Sequence, residues 1–326
     1  MKRGSWADDL ELVRAAADDD TIHVHVLTGL GVPESTIYRR CLPDGPWTLV
    51  APSTVRLSTG TPTRRQLARA GLVYGGAEAV LTGLDAARAH GLRRGELLEV
   101  VHVLIPATSR ARSVPGIRVE RTHRPLLSRT RDGLRVVPME RCVIDAVRSM
   151  SSRSDVAAIL TEPVQRRMLL PETLVAELDA GPRRGTALPR AVLGAVVLGA
   201  RSAAEVEFHD WWSTSLELSR WPVLLNVRLT VGDDFLGIAD GYLPDVGLVL
   251  PIDSVEQHFM TPDQVAAAER QHRAYRSAGL HVYGVRPSRV RGDPAGLHRD
   301  VLDAIAVAAQ LPTPLVRWAA DLPRPS

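Results

Sequence analysis

Apolar positions in the first sixty residues recur at helical spacing and then give way to short alternating runs. Leu10, Val13 and Ala17 fall on one face of a helix predicted over Ala7–Ala17, with Asp8 and Asp9 in a first turn, where negative charge is favoured. A second helix is predicted over about His23–Leu30. It ends at Gly31, which can take a left-handed cap. Pro33 then opens a third helix over Glu34–Leu42, because a proline at a helix start gives up no needed N–H. In it Ile37 and Cys41 face inward, while Ser35, Tyr38, Arg39 and the rim residue Thr36 are left on the other side. After the turn signal Pro43–Pro46, the runs Trp47–Val50 and Thr54–Leu57 read as a hairpin around Pro52 and Ser53.

Three helices and a hairpin in this compass outline a winged helix-turn-helix. Its third helix would sit in the DNA major groove, with Arg39 and Arg40 near base edges or phosphates and Arg56 on the wing. A small packing unit with merely solvated arginines has the same outline.

Further along, helical spacing predicts a pair of helices over Thr63–Gly75 and Glu78–Leu92. Strand-like runs follow at Val100–Ile105, Ile117–Arg121 and Leu134–Val137, then an amphipathic helix over Met139–Met150. Arg141 and Asp145, four residues apart on that helix, suit a structural ion pair. The breaker-rich Gly181–Gly185 is the best linker candidate.

Ser202 and Glu205 form a capping-box signature opening a helix over Ser202–Leu216. From Asp234 onward the chain reads as two strands joined by a turn at Leu243-Pro244-Asp245. Asp240 lies late in the first strand, Asp253 ends the second, and His258 follows. A helix over Gln264–Ala278, a strand over His281–Val285, a helix over Asp300–Gln310 and a loose tail from Pro312 complete the pattern.

Two carboxylates joined by a hairpin are what a Mg²⁺ ion needs, because it takes hard oxygen ligands. The same two residues could equally do no more than terminate strands. Glu205 has two competing roles, as the capping partner of Ser202 or as a third acid beside a metal. Composition narrows the classes. Lys2 is the sole lysine among 40 basic side chains, and the net charge of +3 argues only weakly for nucleic acid. Cys41 and Cys142 are too few for a disulfide framework or a zinc site. No apolar signal core or membrane span is evident, so a cytoplasmic location is expected. Phosphate-loop, G-x-S-x-G and H-E-x-x-H motifs do not occur.

The stretch ADGYLPDVGLVLPIDS, Ala239–Ser254, resembles the central hairpin of the PD-(D/E)xK nuclease superfamily, in the branch similar to the very-short-patch-repair endonuclease. The resemblance implies a restriction-endonuclease-like α/β domain in which Asp240 and Asp253 bind Mg²⁺, Glu205 assists, and His258 acts as acid or base. Relatives carry a Glu where this chain has Pro251, which offers neither a ligand oxygen nor an N–H. A nuclease-shaped domain without nuclease activity, and so without a cofactor, is therefore expected.

The stretch Gly29–Leu57, GLGVPESTIYRRCLPDGPWTLVAPSTVRL, resembles the amino-terminal winged helix of AbiEi-type antitoxins. Leu49-Val50-Ala51 stands where relatives tend to be basic. The middle of the chain resembles the antitoxin body in VHVLIPA and in the Pro138, Arg141, Asp145 helix. Together these imply an α+β multidomain chain: a winged helix-turn-helix over 1–60, an α/β body over 61–185, a nuclease-like domain over 186–312 and a flexible tail over 313–326. The implied function is a type IV antitoxin-like transcriptional repressor. Double-stranded DNA is its partner, with room for a homodimer or a toxin encoded nearby. A Mg²⁺-dependent DNA endonuclease and a protein-interaction scaffold are the alternatives.

Overall fold

The computed structural model describes residues 10–252, 262–312 and 314–321. Its first segment contains the three predicted helices and the hairpin, with a strand that the spacing did not predict, β1, between the first two helices: α1 (Leu10–Ala15), β1 (Thr21–His23), α2 (Val24–Gly29), α3 (Glu34–Arg40), β2 (Thr48–Ala51) and β3 (Thr54–Arg56). β3 pairs antiparallel with β1 on one side and β2 on the other, closing a three-stranded sheet of order β1-β3-β2. Val13, Leu27, Ile37, Trp47 and Val55 are buried together in its core. Leu27 and Ile37 are fully enclosed, and each contributes about 1.5–3 kcal/mol by leaving water. Gly31 takes the left-handed conformation expected of it, at φ +86°, and separates α2 from α3.

α4 (Arg64–Gly75) opens on a reciprocal capping box between Thr63 and Gln66, worth roughly 1 kcal/mol. It binds the preceding segment through charge: Arg65 Nε donates to Asp19 Oδ1 at 2.6 Å and Arg69 Nε to Oδ2 at 3.3 Å. Burial pushes the Asp19 carboxyl up, but the two guanidiniums together hold it below the usual carboxylate value. Next come β4 (Val80–Thr82), α5 (Gly83–Ala89), β5 (Val101–Pro106), β6 (Ile117–Thr122), β7 (Arg129–Arg131), β8 (Leu134–Val136) and α6 (Met139–Val147). The five strands form a mixed sheet of order β6-β5-β4-β8-β7.

The helix expected over Glu78–Leu92 begins instead as β4. Val80, Leu81 and Thr82 are buried in the sheet, and Gly83 at φ +64° turns the chain before α5 can start. Burial on both faces overrides helical spacing. The Arg141 and Asp145 pair is present at 3.9 Å; Arg141 also donates to the Pro125 carbonyl, and Thr82 Oγ1 donates to Asp145 at 2.7 Å.

The chain forms two compact units, Met1–Ala146 and Val147–Ser326. The second contains α7 (Arg153–Gln165), α8 (Pro171–Ala180), α9 (Ala187–Val197), α10 (Ala203–Thr214), β9 (Leu224–Val231), β10 (Asp234–Leu243), β11 (Leu248–Leu250), α11 (Pro262–Ser277), β12 (His281–Val282), α12 (Pro287–Gly292), α13 (Pro294–Ala308) and β13 (Arg317–Ala320). Gly181–Gly185 is the turn between α8 and α9, which pack on each other within this unit.

The sheet order is β12-β11-β10-β9-β13, antiparallel except for β11 and β12. α11 seals one face through Tyr275, which packs with Val227, Leu229 and Ala239. The tail, expected to be loose, supplies β13 along β9. Its composition disfavours regular structure, but ladder bonds to β9 and an Arg201 to Asp321 ion pair of 2.7 Å fix it. No helix among the described residues is long and apolar enough to cross a membrane.

Candidate nucleic-acid interface and carboxylate site

α3 is amphipathic because Ile37 and Thr36 point into the core while Ser35, Tyr38 and Arg39 remain exposed. Arg40, at its end, is half-buried and lies over the Trp47 ring at 4.5 Å from the centroid. That contact commits Arg40 to the fold. Two expected surface residues are not on the surface. Thr36 is buried, and Arg56 is only 2% exposed. The Arg56 guanidinium donates to Gln66 Oε1 at 3.3 Å and to the Gly60 carbonyl, which ties the hairpin to the start of α4. A β-strand side chain facing inward cannot reach a phosphate, so the hairpin presents no cation of its own. Pro52 is exposed and Ser53 half-exposed at its tip, and Leu49 stands out on its edge strand.

In the second unit Glu205 is buried at the start of α10, as its capping signature requires. Its Oε1 accepts the Ser202 hydroxyl at 2.8 Å, its Oε2 accepts the Arg201 amide at 2.8 Å, and the Asn226 side-chain amide donates to Oε2 as well. Asn226 sits on β9 at φ +48°, between Leu225 and Val227, whose partners on β10 are Gly241 and Ala239. Asp240 is therefore its neighbour across the ladder. The Asp240 carboxylate accepts the Ile252 amide at 2.8 Å. This bond replaces one that Pro251 cannot make: β11 ends at Leu250, and the next available N–H is caught by a side chain.

Around Asp240, α11 adds Gln271, whose amide donates to the Ile238 carbonyl at 2.9 Å and to the Tyr275 hydroxyl at 2.7 Å. Burial, with the Asp240 charge adding to it against the Gln271 hydrogen bond, pushes the Tyr275 hydroxyl up to about 12. Glu269, Arg270, Arg273 and Arg276 on the same helix are exposed.

Asn226, Gln271 and Tyr275 were not singled out from the sequence. The signal for the first was a lone amide inside an apolar strand, and for the others an i,i+4 pair on α11. Asp253 and His258 lie outside the described residues. Among the described residues both Glu205 oxygens accept hydrogen bonds, Asp240 accepts a backbone amide, and Pro251 offers no side-chain oxygen. No group of three or more His, Cys, Asp or Glu able to hold a metal occurs among them.

No protein family and no curated protein matches the chain. Among solved structures the chain is similar to the crystal structure of the RV2827C protein from Mycobacterium tuberculosis, with 17% identity and a TM-score of 0.39 over 64% of this chain and 81% of that one.

Proposed function

We propose that this protein is a DNA-binding regulator whose amino-terminal segment is a winged helix-turn-helix and whose α3 reads the major groove. The observation that carries this reading is the exposed face of α3. Ser35, Tyr38 and Arg39 project from a helix anchored by Ile37, inside the succession α1-β1-α2-α3-β2-β3 with its β1-β3-β2 sheet. A short hydroxyl, an amphipathic ring and a bidentate donor on one helix face suit base edges and flanking phosphates. The hairpin, with Arg56 turned inward, adds shape rather than charge.

In this reading the second unit has a nuclease-like outline and no nuclease chemistry, because its two described carboxylates hold a helix start and a strand end. A transcriptional repressor of the type IV antitoxin kind, acting on its own promoter with a toxin encoded nearby, is the role that fits. The test is a gel shift with the DNA upstream of the gene. Saturable retardation that weakens steeply with salt and is reduced in Arg39→Ala is expected. Absence of any shift at about 50 mM salt would sink the reading. Incubating plasmid with the protein and Mg²⁺ or Mn²⁺ tests the second unit, and intact plasmid is expected.

A further inference from the structure

The sheet of the second unit is buried on both faces over β11 and the carboxyl-terminal end of β10, and exposed toward β13. α11 covers the Leu229 face. On the other, register aligns Phe235, Thr230 and Arg317 in one row across β10, β9 and β13, and Ile238, Arg228 and Ala319 in the next. Phe235 is 50% exposed, and Arg228, Arg317 and Ala319 are exposed beside it. The Arg228 guanidinium lies over the Phe235 ring at 4.0 Å from the centroid, so the two groups are already stacked. Neither Arg228 nor Arg317 meets a carboxylate among the described residues. The neighbouring Asp234 pairs with Val231, one position along the ladder, and so belongs to the opposite face.

From this we infer that the open face of the β10-β9-β13 sheet binds single-stranded nucleic acid, with a base stacked on the Phe235 and Arg228 pair and phosphates held by Arg228 and Arg317. The inference goes beyond the reading of α3 and stands independently of it.

The geometry selects the ligand in three ways. Phe235, Arg228, Arg317 and Ala319 are all exposed, so the surface does not enclose a small molecule. Its two cations, one on β9 and one on the adjacent edge strand, call for a ligand with repeated negative charge. A half-exposed aromatic ring held in place by a guanidinium offers a stacking platform. A base already stacked inside a duplex cannot use that platform, whereas an unpaired one can.

The experiment uses the full chain and a fluorescein-labelled oligothymidylate about twenty nucleotides long, followed by anisotropy across a salt series. Saturable binding is expected, weakened about tenfold by Phe235→Ala, in line with the loss of one stacked base. The double variant Arg228→Ser, Arg317→Ser should weaken it further. It should also flatten the logarithmic salt slope by about 0.7 for each phosphate no longer neutralised. Phe235→Trp should keep the affinity. Arg39→Ala should leave oligothymidylate binding untouched while weakening duplex binding, which separates failure of this inference from failure of the α3 reading. All the substituted side chains are exposed, and unchanged melting curves would verify that the variants fold. No binding at about 50 mM salt, full binding by the double arginine variant, or an affinity indifferent to Phe235→Ala would each overturn the inference.

Discussion

The Trp47 amide donates to the Arg40 carbonyl at 3.0 Å while the Arg40 guanidinium lies over the Trp47 ring. The last residue of α3 and the first of the hairpin approach are thus clamped at both main chain and side chain. Arg40→Ala is expected to cost about 0.5–2 kcal/mol through removal of the cation–π interaction and of stem packing. Trp47→Ala, at a site only 6% exposed, should cost about 3–5 kcal/mol. Urea denaturation of the two variants checks the ranking. Equal effects would show that the stacking is incidental.

Asp240 serves as the partner of an amide stranded beside a proline. Asp240→Ala should therefore destabilise the second unit by about 1–3 kcal/mol, the cost of an unsatisfied buried amide. Asp240→Asn keeps an acceptor oxygen and should cost clearly less. Thermal melting separates the two. If both substitutions leave the midpoint unchanged, the bond to Ile252 contributes nothing.

Much of this was readable from the chain because the signals were local. The Ser202 and Glu205 box announced both a helix start and the fate of the carboxylate, and Gly31 announced the break before α3. What could not be read depended on distant partners. Nothing in Thr54-Val55-Arg56 says that the arginine turns inward; that follows from Gln66 and Gly60 waiting on the other side of a bend. Val80-Leu81-Thr82 carries helical spacing, and only the strands on either side of it make β4. The tail is proline-rich yet pairs with β9, because an open sheet edge accepts any backbone that can donate and accept in register.

Acidity should weaken the amino-terminal segment through His23. Its Nδ1 accepts the His25 amide at 3.0 Å and caps α2, a bond that needs the neutral ring. Burial first, and the neighbouring His25 second, hold the His23 pKa below its ordinary 6.5. Between that lowered value and 6.5 the unfolded chain binds more protons than the folded one. Stability is therefore lost as pH falls through 6.5 and levels off below the folded-state pKa. His90 and His209, lowered mainly by burial, act in the same direction. Denaturation midpoints measured between about pH 8 and 5 should fall on the acid side. His23→Asn, which retains a capping oxygen, should flatten part of that fall. A profile identical in the variant would remove His23 from the account.

Arg39 and Arg56 make the sharpest pair of predictions, since spacing alone assigns both the same role. Arg39 is exposed on α3, so Arg39→Ala should leave the melting curve unchanged and weaken specific duplex binding by about 1–3 kcal/mol, the worth of one bidentate base contact. Arg56 is enclosed, and its removal breaks the hydrogen bonds to the Gly60 carbonyl and to Gln66 Oε1 that tie the hairpin to the start of α4. Arg56→Ala should therefore cost about 1–3 kcal/mol of stability, with unchanged DNA affinity in whatever fraction remains folded. Arg56→Lys should rescue little, because an ammonium cannot span two acceptors that a planar fork reaches together. Melting curves and titrations on the same preparations decide the matter. An Arg56→Ala protein that melts normally but no longer binds DNA would put that side chain back on the surface.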